Sequence, residues 1–510
     1  MNHTKRFLAA VTSIVTFLAL VPMRTFADNT IVVSYDPTST FTVTIPSGVT
    51  LDSENAVSKS VTASEVMLQS NQVVVVKLEN ASNTSSGSTF HAKTEVGDST
   101  AVYSIVRGSA GSVVSVGDTV AEFTENGTQT LVFSPASGAT HADVHTETLT
   151  FGISVEDTRN IVDLAELSGD YQAQDGDVLT GTYTAKNKIT VANGATVTLK
   201  NANIVGEHSD SYQWAGITCE GNATLALEGE NTVIGFHNNY PGIFVPENST
   251  LIINGNGVLN ASSNGDSAGI GSGNNNPCGS IEIRSGTINA NGGADAAGIG
   301  SGYGASCENI TISGGTVTVN CNNNGGGIGA GEVGSCGNIT ISGGTVTVTA
   351  SSGAGIGTGN FSKSCGDITI SGGTVNAVGG LFSAGIGSGY QASCGGNIII
   401  SDGIVTAAGG EFGAGIGSGA EGATCGNITI SGGVVNATGG RAAAGIGSSY
   451  NNASCGDITI SDTVTKVTAT KGASAHDSIG TGVVSSCGTV TIGGVVGQIS
   501  DSPYIYEPNA

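Results

Sequence analysis

The chain has 510 residues, 81 of them glycine, and carries 40 acidic against 16 basic side chains, a formal net charge of −24 at pH 7. So acidic a balance argues against a nucleic-acid partner, because a polyanion is held by a basic surface. With only 11% charged residues the chain is not a charged disordered tail either, and Thr, Ser and Asn supply most of its polarity.

The chain begins "MNHTKRFLAAVTSIVTFLALVPMRTFA", with Lys5 and Arg6 ahead of an apolar run from Phe7 to Val21 and small residues at Thr25 and Ala27. This pattern predicts a secretory signal peptide over residues 1–27. The run is too short, and too soon followed by Arg24, to be a membrane span. No second long apolar segment and no LPxTG signal follows. The expectation is an extracellular protein that does not span a membrane, either secreted or held non-covalently at the cell surface.

Residues 28–157 hold no cysteine and alternate as in "FTVTI", with Phe41, Val43 and Ile45 on one face, and "LTFGISV", with Leu149, Phe151, Ile153 and Val155 on one face. Short strands punctuated by Pro, Gly, Ser and Asn predict a β-sandwich of immunoglobulin-like build, although the Cys…Trp…Cys signature is missing. His141 and His145 have a spacing that shares a metal on a helix. On a strand four residues span about 13 Å, so they read as surface histidines and no metal site is expected. Residues 158–176, with the apolar "IVDLAEL", read as a linker and N-terminal cap.

From 177 to 510 the chain repeats itself. "AGIGSGYGASCENITISGGTVTV" returns as "GGIGAGEVGSCGNITISGGTVTV" and "AGIGTGNFSKSCGDITISGGTVNA", carrying a column of isoleucines at Ile270, Ile299, Ile328, Ile356, Ile386, Ile416, Ile446 and Ile479. Each unit has short β-rich pieces and no helical spacing, so one unit is one coil of a solenoid. Crossovers between parallel strands are overwhelmingly right-handed. The predicted fold is therefore all-β: a β-sandwich followed by a right-handed parallel β-helix of about eleven coils.

Within "NITIS", Ile310 and Ile312 face in and Thr311 faces out, as do their equivalents in later coils. Asn309, Asn338, Asp367, Asn397, Asn427 and Asp457 share one turn position and read as a ladder of short side chains. Cys278, Cys307, Cys336, Cys365, Cys394, Cys425, Cys455 and Cys487 form a further column. The first reading is a stack of buried reduced thiols, with vertical disulfides as the rival. Zinc is less in keeping with one cysteine per coil and no CxxC. Cys219 and Cys321 fall outside the column. The first coils, around Ile217 and Ile243, are atypical, and the tail "SDSPYIYEPNA" reads as a C-terminal cap because Pro503 and Pro508 stop strand pairing.

Catalytic chemistry is hard to place on this pattern. A polysaccharide lyase needs clustered cations, whereas Lys200, Arg284, Lys363 and Arg441 lie in different coils. Glu228 and Glu230 could stand on one strand face about 7 Å apart, within the range of an inverting glycosidase pair, but Gly229 between them points to a solvated turn. The recurring GxGxG lacks the helix and lysine of a phosphate loop. No catalytic residue, metal or cofactor is expected.

The aromatics are the candidates for binding. Trp214 and Tyr240 sit three residues before a column isoleucine and Phe382 and Phe412 four before, while Tyr303, Phe361, Tyr390 and Tyr450 follow the "GIGSG" segment. Rings exposed along one edge can stack on sugar faces; the plainer reading is packing over the turn of the next coil. Outward threonines such as Thr316/Thr318 and Thr345/Thr347/Thr349 resemble an ice-matching array, but strand propensity alone explains them.

"GAGIGSG", "CGNITISGGTV" and "WAGITCEGNATLALEG" resemble Gly-rich parallel β-helix repeats of proteins exported by anaerobic gut bacteria, over about two-thirds of the chain. The resemblance implies an extracellular glycan-binding or adhesive protein and carries over no catalytic residue. Three readings follow: attachment to an extracellular glycan, adhesion to a host surface protein, and, last, a glycan-cleaving enzyme.

Overall fold

The computed structural model describes residues 39–508 apart from 69–70, 109–110, 184–185, 206–210 and 322–323. The expected signal peptide lies outside the described residues. Two compact units divide between Arg159 and Asn160.

The first unit is built from antiparallel strands whose alternation sends every second side chain inward. One sheet orders Thr40–Thr44, Val57–Met67, Gly127–Phe133 and Ile105–Arg107; another places Gln72–Ala81 between Thr119–Phe123 and Leu149–Asp157; Phe90–Lys93 and Thr100–Tyr103 form a hairpin. Val61, Leu131 and Phe133 from the first sheet share a single core with Val74, Val76 and Leu78 from the second, which makes this unit a sandwich. Phe41, Val43, Ile45, Leu149, Phe151 and Val155 pack against that core as their alternation requires. Ile153, which the same alternation places inward, is instead 40% exposed.

The second unit is a right-handed parallel β-solenoid of about ten turns. The isoleucine column forms one sheet of 12 strands, starting at Tyr171–Ala173 and ending at Ile479–Gly480. Successive isoleucines pair in register, Ile270 with Ile299 and Ile299 with Ile328. The "ITI" strands pair likewise, Ile310 with Ile339 and Ile339 with Ile368. Their isoleucines are buried, together with Val317, Val319 and their equivalents, and make the core continuous along the stack. Thr311, Thr340 and Thr369 face away from it. The corner between "ITI" and "TVTV" is turned by a glycine at positive φ, +82° at Gly315 and +80° at Gly344, where a Cβ would be strained.

Two polar ladders tie the coils together. In the asparagine column each side-chain oxygen accepts the backbone N–H of the equivalent residue one coil on: Asn338 N–H donates to Asn309 Oδ1 at 2.9 Å and Asp457 N–H to Asn427 Oδ1 at 2.9 Å. The second ladder uses the buried hydroxyl of the "IGSG" segment, with Gly302 N–H donating to Ser272 Oγ at 2.7 Å and Gly331 N–H to Ser301 Oγ at 2.8 Å. It has a sequence signal, the Ser or Thr of nearly every "GIGSG", which the alternation argument passes over because the strand there is only two residues long.

At the start of the stack, Asn160–Asp163 pairs in parallel with Asp177–Tyr183, and the single turn Leu164–Glu166 buries Leu164 in the core. Residues 158–176 thus span the end of the first unit and the opening coil. At the far end the pairing turns antiparallel, with Val495–Val496 against Val490–Ile492 and Tyr504–Tyr506 against Lys466–Thr470, so the last parallel edge is covered.

Candidate functional site

The isoleucine strand is pinched at each coil. Ala384 N–H donates to Ser388 C=O at 3.0 Å, so the loops on either side of Ile386 approach each other at the solenoid surface. Phe382 and Tyr390, eight positions apart in sequence, meet there with ring centroids 5.2 Å apart. The stack then extends this pair along the solenoid: Phe361 lies 5.4 Å from Tyr390, Phe412 lies 5.3 Å from Phe382 with the planes 13° apart, and Tyr450 lies 5.3 Å from Phe412. Five rings form one continuous ladder. Its members are half-buried, apart from Phe361 at 44% exposure, and Leu381 beside Phe382 is 47% exposed. The rings direct much of their area at one another and leave edges and outer faces to solvent, so both readings of these aromatics meet in one feature.

A polar strip adjoins the ladder. Asn360, next to Phe361 and itself buried, accepts Tyr390 N–H on its Oδ1 at 3.2 Å and donates to Asn324 Oδ1 at 3.2 Å. Asn324 in turn donates to Asp295 Oδ1 at 2.9 Å and Glu332 Oε2 at 3.1 Å. Asp266 belongs to the same group, accepting from Asn274 at 3.4 Å. Burial, then the charge of Asp295, pushes the Glu332 carboxyl above its ordinary range, and burial with Asp295 does the same to Asp266. Sequence columns do not reveal this group, because Asp266 and Asp295 precede their column isoleucines whereas Glu332 follows its own.

The other candidate aromatics lie elsewhere. Trp214 is half-buried and packs on the core, 5.4 Å from Tyr212 and 6.1 Å from the buried Phe236. Among the described residues its indole Nε1 is buried without an acceptor. Tyr240 packs edge-on against His237 at 6.0 Å. Tyr303 occupies the turn position of Tyr390 and Tyr450, but Glu332 and Asn360 take that position in the coils between, so Tyr303 stands apart from the ladder.

Glu228 and Glu230 do not share a strand: Gly229, at φ +65°, separates Ala223–Glu228 from Glu230–Ile234, and Glu228 faces Lys200 at 3.7 Å. His141 and His145 lie in a loop, not a strand, and gather on the hairpin turn, His145 Nε2 at 2.7 Å from Ser99 Oγ and His141 Nδ1 at 3.8 Å from Asp98. Among the described residues no group of three or more His, Cys, Asp or Glu side chains is arranged to hold a metal. Lys200, Arg284, Lys363 and Arg441 remain in different coils, with Arg284 bound to Glu282 at 2.7 Å. The threonine column Thr316, Thr345, Thr374 aligns in register but meets Ile404 in the next coil.

These features define a β-solenoid scaffold with an aromatic and acidic-amide edge. Six stretches of it, residues 251–274, 281–303, 339–360, 368–390, 398–420 and 428–450, match the beta helix repeat. No curated protein and no solved structure matches the chain.

Proposed function

We propose that this is an exported, non-catalytic binding protein whose solenoid attaches to an extracellular glycan along the edge from Glu332 to Tyr450. The observation that carries the reading is the ring ladder Phe361–Tyr390–Phe382–Phe412–Tyr450 continuing into the Asn360–Asn324–Glu332 strip. A saccharide presents hydroxyls and patches of C–H on the same molecule. Amides and carboxylates take the former and aromatic rings the latter. An extended edge suits a polymer better than a small molecule, which calls for an enclosing pocket. The start of the chain, read as a signal peptide, supports the extracellular placement.

The test is a glycan array probed with the full chain, followed by titration of the best glycan against Phe412→Ala and Tyr390→Ala. Each ring contributes about 1 kcal/mol beyond its buried area, so affinity is expected to fall at least about fivefold per ring. Trp214→Ala and Tyr240→Ala probe the opening coils as a separate surface. Retention of no glycan, or unchanged affinity in both ladder variants, overturns the proposal; capture of a host protein through the sandwich would favour adhesion.

A further inference from the structure

The cysteine column is uniform in sequence but not in space. Cys278 Sγ lies 3.7 Å from Gly300 C=O and Cys307 Sγ 3.5 Å from Gly279 C=O, so these thiols have backbone oxygens as partners beside their contact with each other. Cys336 differs: its Sγ lies 2.8 Å from Cys365 Sγ. The two residues are direct partners in the parallel strands Ser335–Cys336 and Ser364–Cys365, a separation between coils that falls in the Cα range of natural disulfides. Cys365 also touches Cys394, but the strand pairing of the column is interrupted between them. Cys394 starts a separate four-stranded sheet, and its coil carries an extra glycine in "CGGN" where its neighbours have "CGD" and "CGN".

Parallel Cβ vectors one coil apart would hold two sulfurs too far apart for a bond if both side chains took the same rotamer. The Sγ–Sγ approach shows that here they do not. We infer that Cys336 and Cys365 are a modification site, forming one disulfide between adjacent coils when the chain folds in an oxidising compartment, while the rest of the column stays reduced. The reaction takes a small-molecule disulfide as oxidant. Both thiols lose their protons, the Cys336–Cys365 bond forms as the oxidant's S–S bond breaks, and two small thiols carry away the two protons and two electrons. Both sulfurs are buried in the finished solenoid, and the contacts with Cys336 and Cys394, together with burial, hold the Cys365 thiol well above its ordinary pKa. Thiolate attack is therefore suppressed once the coils have closed, which places the reaction during assembly. The bond would tie residues 29 apart in sequence and staple neighbouring coils of a stack otherwise joined by hydrogen bonds and packing.

The experiment uses the full chain exported into an oxidising compartment, purified without reductant, denatured and alkylated before mass analysis. The expected product lacks two hydrogens relative to the fully reduced chain, with Cys336 and Cys365 alone escaping alkylation and recovered as a linked pair of peptides. In Cys336→Ala the Cys365 thiol should become alkylated. Reductant should lower the melting temperature of the parent and leave that of Cys336→Ala unmoved. Quantitative alkylation of both cysteines in the parent overturns the inference, as does a peptide linking Cys365 to Cys394. If the variant does not fold, the parent's mass and linked peptides still decide the matter.

Discussion

Gly387 closes the isoleucine strand beneath the aromatic ladder, and replacing it with alanine puts the stacking geometry to a direct test. Its φ is +135°, and a Cβ built there falls 1.9 Å from the carbonyl oxygen of Gly417 in the next coil. Real Cβ atoms do not approach a heavy atom within 3.0 Å, so the two rungs would have to part by about 1 Å in a close-packed stack. The oxygen in the way is the one that accepts Ser388 N–H at 3.1 Å. Parting the rungs therefore costs that hydrogen bond, about 1–3 kcal/mol for a buried pair. The backbone conformation itself costs about 1–3 kcal/mol for a residue other than glycine. We expect Gly387→Ala to destabilise the solenoid by about 3–5 kcal/mol, read as a lowered denaturant midpoint and as faster amide exchange in the coils around Ile386 and Ile416. Gly395→Ala is the matched control: nothing lies within 4 Å of its Cβ position and its φ is not positive, so it should fall within about 0.5 kcal/mol of the parent. Equal midpoints for the two variants would refute the close-approach argument.

Other consequences follow from the ladders and the acidic strip. Asn427→Ala removes the acceptor of Asp457 N–H and should cost about 0.5–1.5 kcal/mol in chemical denaturation, whereas Asn427→Asp, which keeps the oxygen, should cost less. Val333 adopts φ +56°, where a β-branched residue is strained, and Val333→Asn should stabilise by about 1 kcal/mol in the same measurement. The Glu332 carboxyl is held above its ordinary value of 4.5 in the folded chain. The folded state thus retains this proton where the unfolded state has lost it, and the associated stability is present at low pH and is lost as pH rises from about 4.5 through the folded value. Glu332→Gln should flatten that decline and raise the melting temperature at neutral pH; a steeper decline in the variant would contradict the assignment.

Much of the architecture was legible because a solenoid is a one-dimensional object. The "ITI" alternation, the isoleucine column and the Asn309–Asp457 column each state which residues stack, since parallel in-register pairing places equal positions of the repeat on top of one another. The aromatic candidates were legible only as members of the chain. Phe382 and Tyr390 belong to different loops of one coil, and it is the pinch from Ala384 to Ser388 that brings them together. Tyr303 fits the same sequence position as Tyr390 yet is left out, because a ladder needs a ring in every consecutive coil and Glu332 and Asn360 interrupt it. At Glu228/Glu230 alternation alone would have assumed a continuous strand; Gly229 signalled the turn, and its positive φ ends the strand there.

By itself, then, the sequence determined the period, the inward and outward faces of the solenoid strands and the isoleucine, asparagine and cysteine columns, because those depend on pairing equal positions of a repeat. Only the tertiary structure decided what meets between columns. The Asp266–Asp295–Glu332 group draws carboxyls from opposite sides of the isoleucine strand. The Cys336–Cys365 approach depends on the direction of two side chains within a column of chemically identical ones. Both are set by loop curvature and rotamer, which vary from coil to coil while the repeat stays the same.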